Sequence, residues 1–151
     1  MTSACIYYRS RTGITKTLAE NIAEIMKNKG IEVKSTAIPD KAEDLNAAEA
    51  AASDMVFLGC WTAGLFIFLQ HPDRQWSVFA DSLPSLAGKK VCLFTTYKLA
   101  TGGLFNRMQK HLKAPQPADI LILRSKNGKI STEDKARLEQ WIGAEVLRST
   151  P

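Results

Sequence analysis

Apolar positions along the chain follow two alternating periods. Ala4-Cys5-Ile6-Tyr7-Tyr8 is a short continuous apolar run with aromatic and branched residues, which predicts a buried strand. Over residues 14–29 the period lengthens. Leu18, Ile22, Ile25 and Met26 share one face, Lys16, Glu20, Glu24 and Lys27 take the other, and Gly30 ends the helix. Residues 31–37 alternate as a second strand, the alanine-rich segment 42–52 predicts a helix, and Met55-Val56-Phe57-Leu58-Gly59 predicts a third strand buried on both faces. Trp76, Phe79, Ala80 and Leu83 repeat at helical spacing before Pro84, and the turn at 87–90 leads into the strand Val91-Cys92-Leu93-Phe94-Thr95. Leu104, Met108 and Leu112 line the next helix, and Ile120-Leu121-Ile122-Leu123 is the last strand. Ser131-Thr132-Glu133-Asp134 starts a final helix through Leu138, Trp141 and Ile142. Five strands alternating with five helices predict one α/β domain over residues 1–151, a parallel sheet in three layers with helices on both faces. Ligands of such sheets bind beyond the carboxyl ends of the strands.

At 151 residues the chain is long enough for one core without staples. No apolar run approaches the ~20 residues that cross a bilayer, and Met1-Thr2-Ser3-Ala4-Cys5-Ile6 lacks the pattern of a signal peptide, so a cytoplasmic protein with no membrane span is expected. Cys5, Cys60 and Cys92 form no C-x-x-C pair and have no histidine at ligand spacing, which argues against a disulfide framework and a zinc site. The formal net charge is +5, unevenly spread. Residues 1–85 carry 8 basic and 10 acidic side chains (net −2), and residues 86–151 carry 12 and 5 (net +7). Acidic partners, phosphates, nucleic acid and an ordinary solvated surface all fit dispersed charge of this kind.

The first strand runs into Arg9-Ser10-Arg11-Thr12-Gly13-Ile14-Thr15 just before the first helix. Unpaired N–H groups and the positive end of the helix dipole favour an anion there, Ser10, Thr12 and Thr15 add hydroxyls, and Gly13 admits close approach. A plain helix cap is the simpler use of the same residues. The loop is neither a Walker A sequence nor G-x-G-x-x-G.

Ser10-Arg11-Thr12-Gly13-Ile14-Thr15 resembles the (Ser/Thr)-x-Thr-Gly-x-Thr phosphate loop of flavodoxins, at the same place after the first strand, and the resemblance extends over nearly the whole chain. It implies a flavodoxin-like fold with sheet order 2-1-3-4-5 and FMN as cofactor. Its phosphate would lie in the first loop and its ring between the loops after the third and fourth strands. Here those loops are Gly59-Cys60-Trp61-Thr62-Ala63-Gly64 and Thr95-Thr96-Tyr97-Lys98-Leu99-Ala100-Thr101-Gly102-Gly103. Trp61 and Tyr97 are the expected stacking pair, each contact contributing about 1 kcal/mol beyond area burial. The backbone at Thr62, Ala63 and Gly64 would meet the polar edge of the flavin, with Gly64 able to permit a peptide reorientation on reduction. Cys60 borders this site, where a small buried hydrophobe explains it as well as redox chemistry does.

Two features depart from the resembled family. Typical flavodoxins are strongly acidic around the flavin, whereas residues 59–70 hold no carboxylate, and Arg11 and Lys98 stand within the first and third loops. Positive charge near a reduced, anionic flavin predicts a less negative low-potential couple. The other departure is Leu65-Phe66-Ile67-Phe68-Leu69, which folds inward as core or forms an apolar rim beside the flavin. His71 reads as a turn residue, with no paired carboxylate or nucleophile at a meaningful spacing, and His111, late in the fourth helix, invites no functional reading.

The resemblance implies a small FMN electron carrier, monomeric or weakly dimeric, that serves redox partner proteins and no nucleic acid and needs no catalytic residue, and the net +7 of residues 86–151 would suit partners with an acidic docking surface. The alternative is a small FMN oxidoreductase of the quinone reductase or protoporphyrinogen oxidase type, though the insertions that build a substrate pocket are not evident. A flavodoxin-like domain that has lost FMN is a third class. A phospho-receiver domain is disfavoured, because Tyr7-Tyr8-Arg9 lacks the magnesium-binding acidic pair and Gly59-Cys60 replaces the acceptor aspartate.

Overall fold

Strand periodicity and buried faces coincide in the computed structural model, which describes residues 2–65, 68–117 and 119–149. The strands are β1 (Ser3–Arg9), β2 (Glu32–Ala37), β3 (Met55–Leu65), β4 (Phe68–Pro72), β5 (Lys90–Thr96) and β6 (Asp119–Ser125). The helices are α1 (Ile14–Asn28), α2 (Ala48–Ala52), α3 (Arg74–Ser82), α4 (Leu104–Lys110) and α5 (Thr132–Ser149). Five strands run parallel in the order β2-β1-β3-β5-β6, which is the predicted order once the short antiparallel β4 is set aside.

Alternation along the strands divides the core into two layers. On one face Cys5, Tyr7, Val56, Leu58, Cys60, Val91 and Leu93 meet Trp76 and Phe79 of α3 and Leu104 and Met108 of α4. On the other, Ile6, Met55, Phe57, Cys92, Phe94 and Leu121 meet Leu18, Ile22 and Met26 of α1 and Leu138 and Ile142 of α5. Each fully buried side chain of this size contributes roughly 1.5–3 kcal/mol relative to exposure. No helix among the described residues is long and apolar enough to cross a membrane.

Two elements differ from their prediction. The helix expected over 42–52 is split into a 3-10 turn (Ala42–Asp44) and α2. Leu45 turns extended (φ −87°, ψ 126°), and Asn46 Oδ1 accepts from the Ala48 amide at 2.8 Å, a local bond that competes with helix. The second difference shapes the site. β3 does not end at Gly59 but continues to Leu65, pairing with β5 as far as Trp61 opposite Thr96 and then with β4 in a hairpin, Thr62 opposite Pro72 and Ala63 opposite His71. The apolar run 65–69 spans this hairpin. Phe66 and Ile67 lie outside the described residues, as do the side chains on which the choice between core and rim depends.

Gly59 stands two residues before β3 leaves β5 for the hairpin. A Cβ at this position would stand 2.1 Å from Cε2 of the fully buried Phe94, so no larger residue fits without moving that ring.

Candidate functional site

The first loop closes on itself before α1 starts. Ser10 Oγ accepts from the Gly13 amide (3.0 Å) and more weakly from the Lys16 amide (3.4 Å). Gly13 takes φ 92°, a left-handed conformation suited to glycine, and α1 begins with no side-chain cap. Among the described residues no partner takes the Ile14 and Thr15 amides, so the helix offers donors and its dipole at this end. Thr15 is turned inward, 1% exposed, with its hydroxyl 2.6 Å from Thr96 Oγ1. That bond ties the start of α1 to the end of β5.

The strand ends supply the opposite walls. Trp61 Nε1–H donates to Asp73 Oδ2 at 3.0 Å, and the Arg11 guanidinium lies 5.1 Å from the Trp61 ring centre. Thr62 Oγ1 is 3.0 Å from Thr95 Oγ1, which donates to the Cys60 carbonyl at 2.6 Å. Tyr97 carries Lys126 Nζ 5.7 Å from its ring centre. The register shifts between Ala63 and Leu65, which leaves Gly64 out of the regular ladder.

These parts surround a cavity of about 720 Å³, within the range of small-molecule and cofactor sites. Arg11, Thr12 and Ile14 line it from the first loop, Trp61, Thr62 and Ala63 from β3, and Thr96 and Tyr97 from β5 and its end. Lys98, Leu99 and Ala100 complete the third loop, and Lys126 reaches in from the segment after β6. Among the described residues three cations and no carboxylate line the cavity. Ile14 (36%) and Leu99 (60%) are the exposed large hydrophobic side chains among the described residues, and both stand here.

Of the remaining sequence candidates, Ser10, Gly13, Thr15 and Thr95 support the cavity through the bonds above without lining it. Gly102 and Gly103 form the turn into α4, away from the lining. Cys60 is not brought to the cavity: because residue 60 lies in a strand, its side chain alternates to the opposite face and joins Trp76 and Phe79 in the core. Sequence reasoning missed two residues. Lys126 could have been found because the loop after the last strand neighbours the loop after the fourth in this sheet order. Asp73 had a signal as well, as an aspartate immediately before a helix: it caps α3 through the Gln75 and Trp76 amides (2.8 and 3.4 Å) while holding Trp61 and pairing with Arg9 Nε at 3.3 Å.

All three thiols are buried. Desolvation pushes Cys5 up to about 11, Cys60 up to about 12 and Cys92 well above the ordinary thiol range. Native protein at pH 8 is therefore expected to resist a thiol-disulfide reagent over minutes, and denatured protein to react at all three cysteines. Above pH 9 unfolded thiols lose protons that the fold retains, so stability present below that pH declines by up to about 1.4 kcal/mol per thiol per pH unit. Denaturant midpoints measured from pH 8 to 11 should fall, and fall less steeply in Cys92→Ala.

A doubly wound parallel sheet with an uncapped helix start and two aromatic rings beyond its strand ends defines a nucleotide-binding type of α/β protein. The comparison with known families agrees: the flavodoxin domain matches residues 5–133, and the chain belongs to that family. The flavodoxin of Megasphaera elsdenii is 35% identical over 101 residues, which span 64% of this chain and 66% of that relative. A solution structure of the two-electron reduced flavodoxin of the same organism superposes with a TM-score of 0.65 at 25% identity, covering 90% of this chain and 96% of that one. The crystal structure of Fusobacterium nucleatum flavodoxin bound to flavin mononucleotide gives 0.63 at 14% identity, with 98% and 99% covered, and supports the fold.

Proposed function

We propose that the chain binds FMN in this cavity and carries electrons between redox proteins. The observation that carries the reading is the joint lining: an uncapped helix start and three cations for a phosphate, two aromatic side chains for a flat ring, and no carboxylate. The donor set fits the cofactor. The Ile14 and Thr15 amides with Thr12 and Arg11 would hold the phosphate, Trp61 and Tyr97 would flank the ring, and Ile14 and Leu99 would be covered by it. Arg11 and Lys126 lie over the two aromatic rings, and both have long exposed side chains able to leave those positions. Gly64, outside the ladder, is where the β3 backbone can reorient toward the ring edge. FMN supplies the one- and two-electron chemistry when bound, and no side chain is required as a general acid or base.

The test is direct. Purified protein should show flavin absorbance and release close to one FMN per chain on denaturation, and the stripped protein should rebind FMN about a hundredfold more tightly than riboflavin, which lacks the phosphate. Equal affinity for the two would remove the phosphate site, and a protein that stays colourless with FMN would remove the function. Steady-state oxidation of NAD(P)H by the purified protein alone would replace the carrier reading with the oxidoreductase one.

A further inference from the structure

A second concavity lies on the other side of the β3–β4 hairpin and uses none of the residues of the flavin cavity. It measures about 340 Å³ and is lined by His71 and Pro72 of β4, Arg74 and Ser77 of α3, and Arg107, Lys110 and His111 at and after the end of α4. Two arginines, a lysine and two imidazoles from three elements converge here, and among the described residues no carboxylate lines the space. Arg107 donates to the Gln70 carbonyl, which keeps its guanidinium at the wall. His111 Nδ1 lies 2.7 Å from Asp81 Oδ1, so the nearest carboxylate is committed to the histidine. Asp73, the other carboxylate close by in sequence, is occupied by Arg9, Trp61 and the α3 amides. Among the described residues Arg74 and Lys110 have no ion pair, and both are exposed.

Like charges held together in one concavity repel, and nothing in the cofactor site accounts for these. Arg11, Lys98 and Lys126 already serve the flavin cavity, whereas Arg74, Arg107 and Lys110 face away from it. The two sites are nonetheless adjacent through the sheet. His71 is paired with Ala63 and Pro72 with Thr62, and Ala63 and Thr62 line the flavin cavity, so one strand spacing of roughly 5 Å separates the floor of one site from the wall of the other.

We propose that this cleft is the docking surface for an acidic patch on a partner protein, with Arg74, Arg107 and Lys110 receiving its carboxylates and Pro72 and the side-chain stems forming the apolar floor. Charge complementarity selects the partner: the wall presents three unneutralised cations, so an approaching surface gains by being acidic and loses by being basic. Adjacency to the cavity wall gives the position a use, since a partner seated here touches the strand next to the one that holds the cofactor. The partner's being a redox protein rests on the electron-carrier reading; the binding chemistry does not.

The test uses the full chain labelled with nitrogen-15 at low ionic strength, titrated with a ten-residue glutamate peptide and separately with inorganic pyrophosphate. The expected result is saturable peptide-induced shifts centred on residues 71–77 and 107–111. They should weaken about tenfold or more in Arg74→Glu/Lys110→Glu and stay within about twofold in Lys27→Glu/Lys135→Glu, which changes net charge equally on the other face. Circular dichroism melts check the fold, and Arg74→Gln/Lys110→Gln replaces the first variant if reversal prevents folding. Equal weakening in both variants would show a general charge effect and overturn the proposal. So would shifts centred on the flavin cavity, or pyrophosphate binding at the cleft with no peptide binding, which would make it a small-anion site. FMN content is measured on the same samples: absent FMN with peptide binding intact would overturn the carrier reading alone.

Discussion

Lys98→Glu together with Lys126→Glu is expected to lower the second one-electron potential of the bound flavin by about 40–90 mV. Both lysines line the cavity and both are exposed, so their interaction with added negative charge is felt through a water-like medium. At a separation of about 8 Å in that medium each unit of charge is worth about 0.5 kcal/mol. Reversing two cations changes the local charge by four units, which gives about 2 kcal/mol, or about 90 mV for one electron, and physiological salt reduces this by roughly half. The sign is fixed by electrostatics: replacing cations with carboxylates makes it harder to add an electron. An anaerobic dye-coupled titration of wild type and variant checks both the shift and its shrinkage with salt, and a potential that moves by less than about 10 mV would place these lysines away from the flavin. The same physics predicts that the wild-type couple lies above the strongly negative level of acidic flavodoxins.

The second large effect is expected at Asp73. This carboxylate caps α3, accepts the Trp61 indole N–H and pairs with Arg9, all at 15% side-chain exposure. Asp73→Ala removes the cap, worth about 1–2 kcal/mol, and leaves the Trp61 donor short of a partner and Arg9 with one ion pair fewer, worth about 1–3 kcal/mol more. A loss of roughly 2–5 kcal/mol lowers the melting temperature by about 6–15 °C in a chain of this size. Trp61 also loses the bond that orients its ring at the cavity, so FMN affinity should fall about tenfold, a change of about 1.4 kcal/mol. Asp73→Asn keeps an acceptor and should recover part of the stability. Calorimetry and flavin titration of the two variants separate the cap from the anchor.

The parallel core and the first loop were legible because their signals are local: a two-residue or 3.6-residue period, and a run of hydroxyls before a helix. The hairpin was not. Residues 65–68 carry none of the Asn-Gly or Asp-Gly chemistry that announces a tight reversal, so β4 forms only because β3 is there to pair with. Everything that depends on that reversal was hidden too. Trp61 and Asp73 are twelve positions apart and meet only when β4 brings the chain back. Which of the two uses of Cys60 holds, buried hydrophobe or neighbour of the site, was hidden for a related reason. Assigning residues 59–64 to a loop removes the alternation that sends Trp61 and Cys60 to opposite faces. Lys126 was overlooked because it belongs to the loop after β6, which sequence distance separates from the first loop.

The close fit of Gly59 against Phe94 bears on how this site can change over evolutionary time. Because the backbone at Gly59 is held against a buried aromatic ring, β3 cannot slide along β5 without displacing that ring and the layer it belongs to. Trp61, Thr62 and Ala63 inherit their height above the sheet from that fixed point. A change of ligand or partner that keeps this frame has the loops beyond β5 and β6 to work in, where Lys98, Leu99 and Lys126 are exposed.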